Sequence, residues 1–173
     1  MIVAVILAAA FAALSSEGAD EPAKVPVFPN FGFSSLDGSQ QIDLESLRGR
    51  PVLLTFWASW CGPCRQELPE LQKLAEELAD TGFTLITVNT DDSPVMGIRF
   101  LQRNGIEVPV YRMSDRDLAT LGVRALPTNV LLDREGRPLQ IFKGYSPAVP
   151  AEIRRLVTAL GAGAAGSGSA PGR

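Results

Sequence analysis

The chain has 173 residues, which is enough for one domain with a substantial hydrophobic core. A formal net charge of -3, with no run of lysine and arginine, gives no indication of a nucleic-acid-binding surface. Histidine is absent, which excludes histidine-based metal sites, Ser–His and Cys–His nucleophile pairs, and haem attachment through Cys-x-x-Cys-His.

The chain begins with an apolar stretch. Ile2 to Leu14 contains no polar residue, and its 13 residues suit the apolar region of an export signal better than a membrane span of about 20. No lysine or arginine precedes it, so a buried N-terminal helix is the alternative. We predict a signal peptide or membrane-anchoring segment at residues 1–18, a linker at 19–25, a folded domain at 26–160 and a disordered Gly/Ala/Ser tail at 161–173.

Within the domain, apolar strands alternate with amphipathic helices. Asp37-Gly38 lies between two strand-like stretches and is a strong signal for a β-hairpin. This order of elements predicts a mixed sheet with helices on both faces. The predicted elements are strands at 31–36, 40–44 and 52–57, a long helix that ends before Gly82, a strand at 83–89, helices at 95–104 and 115–121, strands at 128–133 and 139–143, and a helix at 150–160.

The only two cysteines lie in the segment Trp60-Cys61-Gly62-Pro63-Cys64, where the first buried strand gives way to the long helix. Free backbone N–H groups and the positive end of the helix dipole stabilise a thiolate at Cys61, and the thiolate is the reactive form of cysteine. Pro63 fixes the φ angle that the first helical turn requires. The pattern therefore predicts a redox-active dithiol.

Two other interpretations of the cysteine pair are weaker. A zinc site would need four ligands, and the chain has no further cysteine and no histidine to supply them. A structural disulfide between Cys61 and Cys64 would close almost no loop, so it would stabilise the fold little. The spacing therefore favours a redox function.

The stretch from Phe56 to Arg65 resembles the active site of the thioredoxin superfamily. Three further stretches resemble the TlpA/ResA group of periplasmic or membrane-associated thiol–disulfide oxidoreductases. These are a hairpin and turn at 36–52, an insertion at Asp91–Arg112, and a cis-proline loop at Leu126-Pro127-Thr128. The likeness implies a thioredoxin-like α/β fold with a central mixed β-sheet and helices on both faces. It also implies an N-terminal β-hairpin and an inserted helix–strand segment between the second and third core strands.

The resemblance also implies roles for the site residues. Cys61 attacks a substrate disulfide, and Cys64 then resolves the mixed disulfide. The backbone before the cis-proline offers an edge to which a substrate strand can pair, although a simple strand-start proline is the alternative. The residues expected to contact the substrate are Trp60, Gly62, Pro63, Leu126 and Pro127.

The resemblance also implies a role for a carboxylate near the cysteines. Cytosolic thioredoxins have a buried Asp six residues before the first active-site cysteine, whereas this chain has Thr55 there. Glu67 lies one helical turn beyond Cys64 and resembles an acid of the TlpA/ResA group, so we expect it to relay the proton of Cys64. The alternative is a first-turn glutamate that only favours the helix dipole.

The expected function is reduction of extracytoplasmic protein disulfides, and substrates in the family include apocytochromes c. By resemblance, electrons come from a membrane dithiol donor. We expect no cofactor, no metal, no nucleic-acid partner and a monomer. A peroxiredoxin-type thiol peroxidase is disfavoured because Leu54 and Ala58 fill the positions of its Pro and Thr. A copper-carrying or docking module of this shape would add a histidine ligand, and the chain has none.

Overall fold

The computed structural model describes residues 27–164. The predicted export segment at 1–18 and the linker at 19–25 lie outside the described residues, as does the end of the chain from 165. The strands are β1 (Gly32–Ser35), β2 (Gln41–Asp43), β3 (Val52–Trp57), β4 (Thr84–Asn89), β5 (Val110–Arg112), β6 (Thr128–Leu132) and β7 (Pro138–Lys143). The helices are α1 (Gly62–Glu77), α2 (Pro94–Asn104), α3 (Asp115–Leu121) and α4 (Ala148–Ala164).

The strands form one seven-stranded sheet in the order β2-β1-β5-β4-β3-β6-β7. Central strand β3 is parallel to β4 and antiparallel to β6, so the sheet is mixed. β1 and β2 form the N-terminal hairpin, and the segment of α2 and β5 is inserted after β4. The predicted thioredoxin-like fold is confirmed.

Strand β3 is buried along its whole length because helices cover both faces of the sheet. Leu53 packs with the apolar faces of α1 and α4, through residues such as Leu71 and Ile153. Leu54 points to the opposite face, where Leu118 of α3 contacts the same apolar cluster. A strand that is apolar at every position except Thr55 is expected where both faces are covered.

Helix α1 begins directly after Cys61 and carries its apolar side chains inward. Pro69 lies inside the helix without ending it. The helix passes into a short 3₁₀ turn, and Gly82 then adopts a φ of 76°, a left-handed conformation that glycine adopts without steric cost. The predicted stop at Gly82 is therefore correct, although the last turn is not α-helical.

Helix α4 is longer than the sequence predicted. We expected it to begin near Pro150 and end at Leu160, but it runs from Ala148 to Ala164 and includes the first residues of the predicted tail. Alanine has the highest helix propensity, and an already formed helix adds further residues at low cost despite the glycines. Within residues 27–164, none of the helices is both long and apolar enough to cross a membrane.

Helix α2 packs closely against the end of β4. A Cβ atom added at Gly97 would lie 2.7 Å from Asn89 Nδ2 and 2.9 Å from Asn89 Cγ. Asn89 is only 1% exposed and donates a hydrogen bond of 2.9 Å to Asp91, so its side chain has little freedom to move. The absence of a side chain at Gly97 is what allows this close approach.

We predict that Gly97→Ala destabilises the fold by about 1–3 kcal/mol, because the new methyl group displaces a held side chain. Gly161→Ala is the matched control, since that glycine also lies in a helix and nothing lies within 4 Å of its added Cβ. The control should be neutral or more stable by up to about 1 kcal/mol. Urea unfolding of both variants measures the difference, and equal effects would contradict the packing described.

Candidate active site

The two cysteines form a disulfide at the start of α1. Cys61 is the N-cap residue, with extended backbone angles, and its Sγ accepts the Cys64 N–H at 3.2 Å. The Cα atoms are 5.3 Å apart. Cys61 is 5% exposed and Cys64 is fully buried, so the first cysteine is the more accessible of the pair.

The loop before Cys61 is held by a buried acid that sequence reasoning missed. Asp91 Oδ1 accepts the Ser59 backbone N–H at 3.0 Å and the Ser59 hydroxyl at 3.1 Å. Asp91 itself is fully buried and is held by Asn89. The sequence did contain a signal for this contact, because Asn89 and Asp91 are polar residues at the end of β4. β4 is parallel to β3, and the ends of parallel strands meet at one edge of the sheet.

Trp60 and Trp57 have opposite environments. Trp60, directly before Cys61, is 67% exposed, whereas Trp57 is fully buried and its ring lies 5.8 Å from that of Phe100. The core aromatic is therefore Trp57, and Trp60 is available to a partner. Gly62 and Pro63 are also exposed.

The predicted cis-proline loop lies beside the disulfide. The peptide bond between Leu126 and Pro127 is cis. Leu126 packs against the cluster that contains Cys61 and Cys64, and the Pro127 carbonyl accepts the Gly144 N–H at 2.8 Å. The fold thus brings together the two chain segments that the sequence had singled out.

Glu67 is fully buried on α1, one turn beyond Cys64. Its Oε1 accepts a hydrogen bond of 2.8 Å from Nδ2 of Asn129, which lies on β6 directly opposite Thr55 of β3. Burial raises the pKa of Glu67 to about 7, the Asn129 bond opposes this rise, and the negative charge of Glu70 adds to it. A carboxyl group with this pKa changes its protonation state near neutral pH.

Two further residues extend this polar group toward the surface. The Tyr145 hydroxyl donates to Glu70 Oε1 at 3.1 Å, and both side chains are half-buried. Sequence reasoning missed both, because Tyr145 follows β7 and meets Glu70 only in the folded chain. Glu67 is therefore neither isolated nor an exposed first-turn residue.

Comparison with known proteins agrees with this geometry. The family described as Redoxin matches residues 22–160. Thiol-disulfide oxidoreductase ResA of Bacillus thuringiensis is 32% identical over 117 residues, which are 67% of this chain and 67% of that protein.

Two solved structures resemble the chain closely. A Chlorobium tepidum protein assigned as thiol:disulfide interchange protein DsbE has a TM-score of 0.71 at 30% identity, over 78% of this chain and 95% of that one. A secreted thiol-disulfide isomerase from Corynebacterium glutamicum has a TM-score of 0.65 at 28% identity, over 82% and 97% of the two chains. The resemblance inferred from the sequence is confirmed: the chain belongs to the Redoxin family and is a thiol–disulfide oxidoreductase of the ResA/DsbE type.

Proposed function

We propose that the protein reduces disulfides of extracytoplasmic proteins, with Cys61 as the attacking cysteine and Cys64 as the resolving one. The main observation in support of this proposal is that two cysteines and a buried carboxyl group follow one another along the first turns of α1. Cys61 caps the helix, Cys64 is buried behind it, and the buried carboxyl of Glu67 follows. Gly62-Pro63, which resembles the dipeptide of the reducing thioredoxins, supports reduction over oxidation.

The proposed reaction has two exchange steps. The Cys61 thiolate attacks one sulfur of the substrate disulfide, the substrate S–S bond breaks, and a mixed disulfide forms. Cys64 then gives its proton to Glu67 and attacks the Cys61 sulfur. The second substrate thiolate leaves, so the substrate has gained two electrons and the Cys61–Cys64 disulfide has formed. Thr55 offers no carboxylate on the strand side, which leaves Glu67 as the acid nearest to Cys64 in sequence.

The other parts of the proposal rest on the sequence and its relatives. The apolar stretch from Ile2 to Leu14 supports export or anchoring, and one structural neighbour is a secreted protein. Apocytochromes c are the substrates suggested by the TlpA/ResA resemblance. A membrane-embedded dithiol protein returns two electrons to the oxidised pair. Substrates contact Trp60, Gly62 and Pro63 and pair with the backbone at Leu126 beside Pro127, and the protein acts as a monomer.

We predict that Cys64→Ser, expressed in the native host, accumulates mixed disulfides, because Cys61 can still attack but cannot be released. Non-reducing electrophoresis and mass spectrometry of the adducts measure this. The trapped proteins should carry export signals. Cys61→Ser is the matched control and should trap nothing. Trapping that survives loss of Cys61 would reverse the assigned roles, and trapped proteins confined to the cytoplasm would contradict the compartment.

The pH–rate profile of the wild type should show an inflection near pH 7 when it reduces a small disulfide. We predict that Glu67→Gln removes this inflection. Loss of the proton acceptor should slow the resolving step at pH 8 by on the order of 10²-fold. Loss of the buried negative charge should also lower the pKa of the neighbouring thiol. Stopped-flow reduction of a small disulfide from pH 5 to 9 measures both effects.

Glu76→Gln is the control for this experiment, because Glu76 lies on the same helix but is exposed. Its pH–rate profile should match that of the wild type. If the Glu67→Gln profile also matches, Glu67 is only a structural residue and another group accepts the proton.

A further inference from the structure

A cleft of about 360 Å³ lies between the loop before α1, the first turn of α1 and helix α2. Ser59 lines it and precedes Cys61 by two residues, and Arg65 lines it and directly follows Cys64, so the chain segments on both sides of the cysteine pair contribute to the cleft. The residues that define this arginine cleft are Ser59, Arg65, Met96, Arg99, Phe100, Arg103 and Asn104.

The three arginines of the cleft carry unbalanced positive charge. Arg65, Arg99 and Arg103 are all exposed, and within residues 27–164 none of them forms an ion pair with an aspartate or glutamate. Among the described residues, no aspartate or glutamate lines the cleft. Arg99 and Arg103 stand four residues apart on α2, a spacing at which like charges destabilise a helix. An anionic partner would remove this repulsion.

The guanidinium of Arg65 is held in place. Its Cζ lies 5.4 Å from the centre of the Phe100 ring, within the range of a cation–π contact. Phe100 in turn packs against buried Trp57. This contact favours one orientation of the Arg65 charge before any partner binds, which reduces the entropy cost of binding.

Exposed apolar side chains lie next to these charges. Met96 is 47% exposed and lines the cleft, and its neighbour Val95 is 48% exposed. Arginine and methionine are enriched at protein interfaces, whereas lysine and glutamate are depleted. Trp60, which is 67% exposed and directly precedes Cys61, adds a further apolar surface next to the cysteine in the chain. This composition suits a polypeptide partner.

We propose that the arginine cleft binds an acidic segment of the partner protein next to its reactive disulfide, so that the enzyme selects disulfides with acidic flanking residues. The inference rests on the proposed attack by Cys61 and names the class of substrate for that reaction. The chain as a whole is acidic, with a net charge of -3, so attraction of an acidic partner is confined to local patches such as this one. A local attraction of this kind orients the partner as well as binding it.

The test compares two disulfide peptides that are identical except that glutamates flank one disulfide and glutamines the other. The measured quantity is kcat/KM for their reduction by the full chain. The wild type should prefer the glutamate peptide by about tenfold at low salt, and 1 M salt should largely abolish the preference. Arg99→Gln/Arg103→Gln should bring the ratio of the two kcat/KM values close to one.

Lys73→Gln/Arg116→Gln is the matched control, because it removes two positive charges from exposed positions outside the cleft. Its preference should equal that of the wild type. An equal rate for both peptides with the wild type would overturn the inference and leave the exchange reaction intact. A preference that survives in the cleft variant would also overturn it. Failure to reduce either peptide would contradict the proposed attack by Cys61 and this inference with it.

Discussion

The hydrogen bond from the Cys64 N–H to the Cys61 sulfur is the interaction on which the rest of the site depends. Four residues, the last of them Cys61, separate the end of β3 from the start of α1, so Cys61 caps the helix and its sulfur accepts a free N–H group of the first turn. The same N–H groups stabilise a thiolate once the disulfide is reduced. The Ser59–Asp91 bonds fix the loop, and the cis-proline loop closes the other side of the pair.

The buried carboxyl of Glu67 imposes a cost on the fold. An unfolded glutamate ionises near pH 4.5, whereas Glu67 ionises near pH 7 in the folded chain. The folded state therefore holds this proton more tightly, and the free energy of unfolding falls as the pH rises from 4.5 through 7. Above pH 7 the loss is about 3 kcal/mol. Perturbed pKa values of this kind cluster at functional sites.

Most of the fold could be predicted from the sequence, because apolar runs such as Val52–Trp57 and stop signals such as Gly82 act locally. The positions of the cysteines, Glu67 and the cis-proline loop could be predicted because the Trp60–Cys64 motif and the resemblance to the thioredoxin superfamily mark them, whereas their roles stay predictions. Contacts between side chains that are distant in the sequence could not be predicted. The three arginines of the cleft come from two helices, so no run of charge marks them. The sequence indicated only weakly that Asp91 and Asn89 contact the active-site loop, because polar residues at strand ends also occur in ordinary turns. The extension of α4 past Leu160 was missed because the glycines of that segment are typical of flexible tails.

The most direct test of the proposed proton transfer is the pKa of Glu67 in the oxidised protein. Carboxyl carbons of ¹³C-labelled glutamate report this value by NMR titration, and the spectrum of Glu67→Gln identifies the resonance. We expect a midpoint near pH 7, because the carboxyl is buried and lies near the negative charge of Glu70. A midpoint near 4.5, the ordinary value for glutamate, would contradict proton transfer from Cys64 to Glu67 near neutral pH.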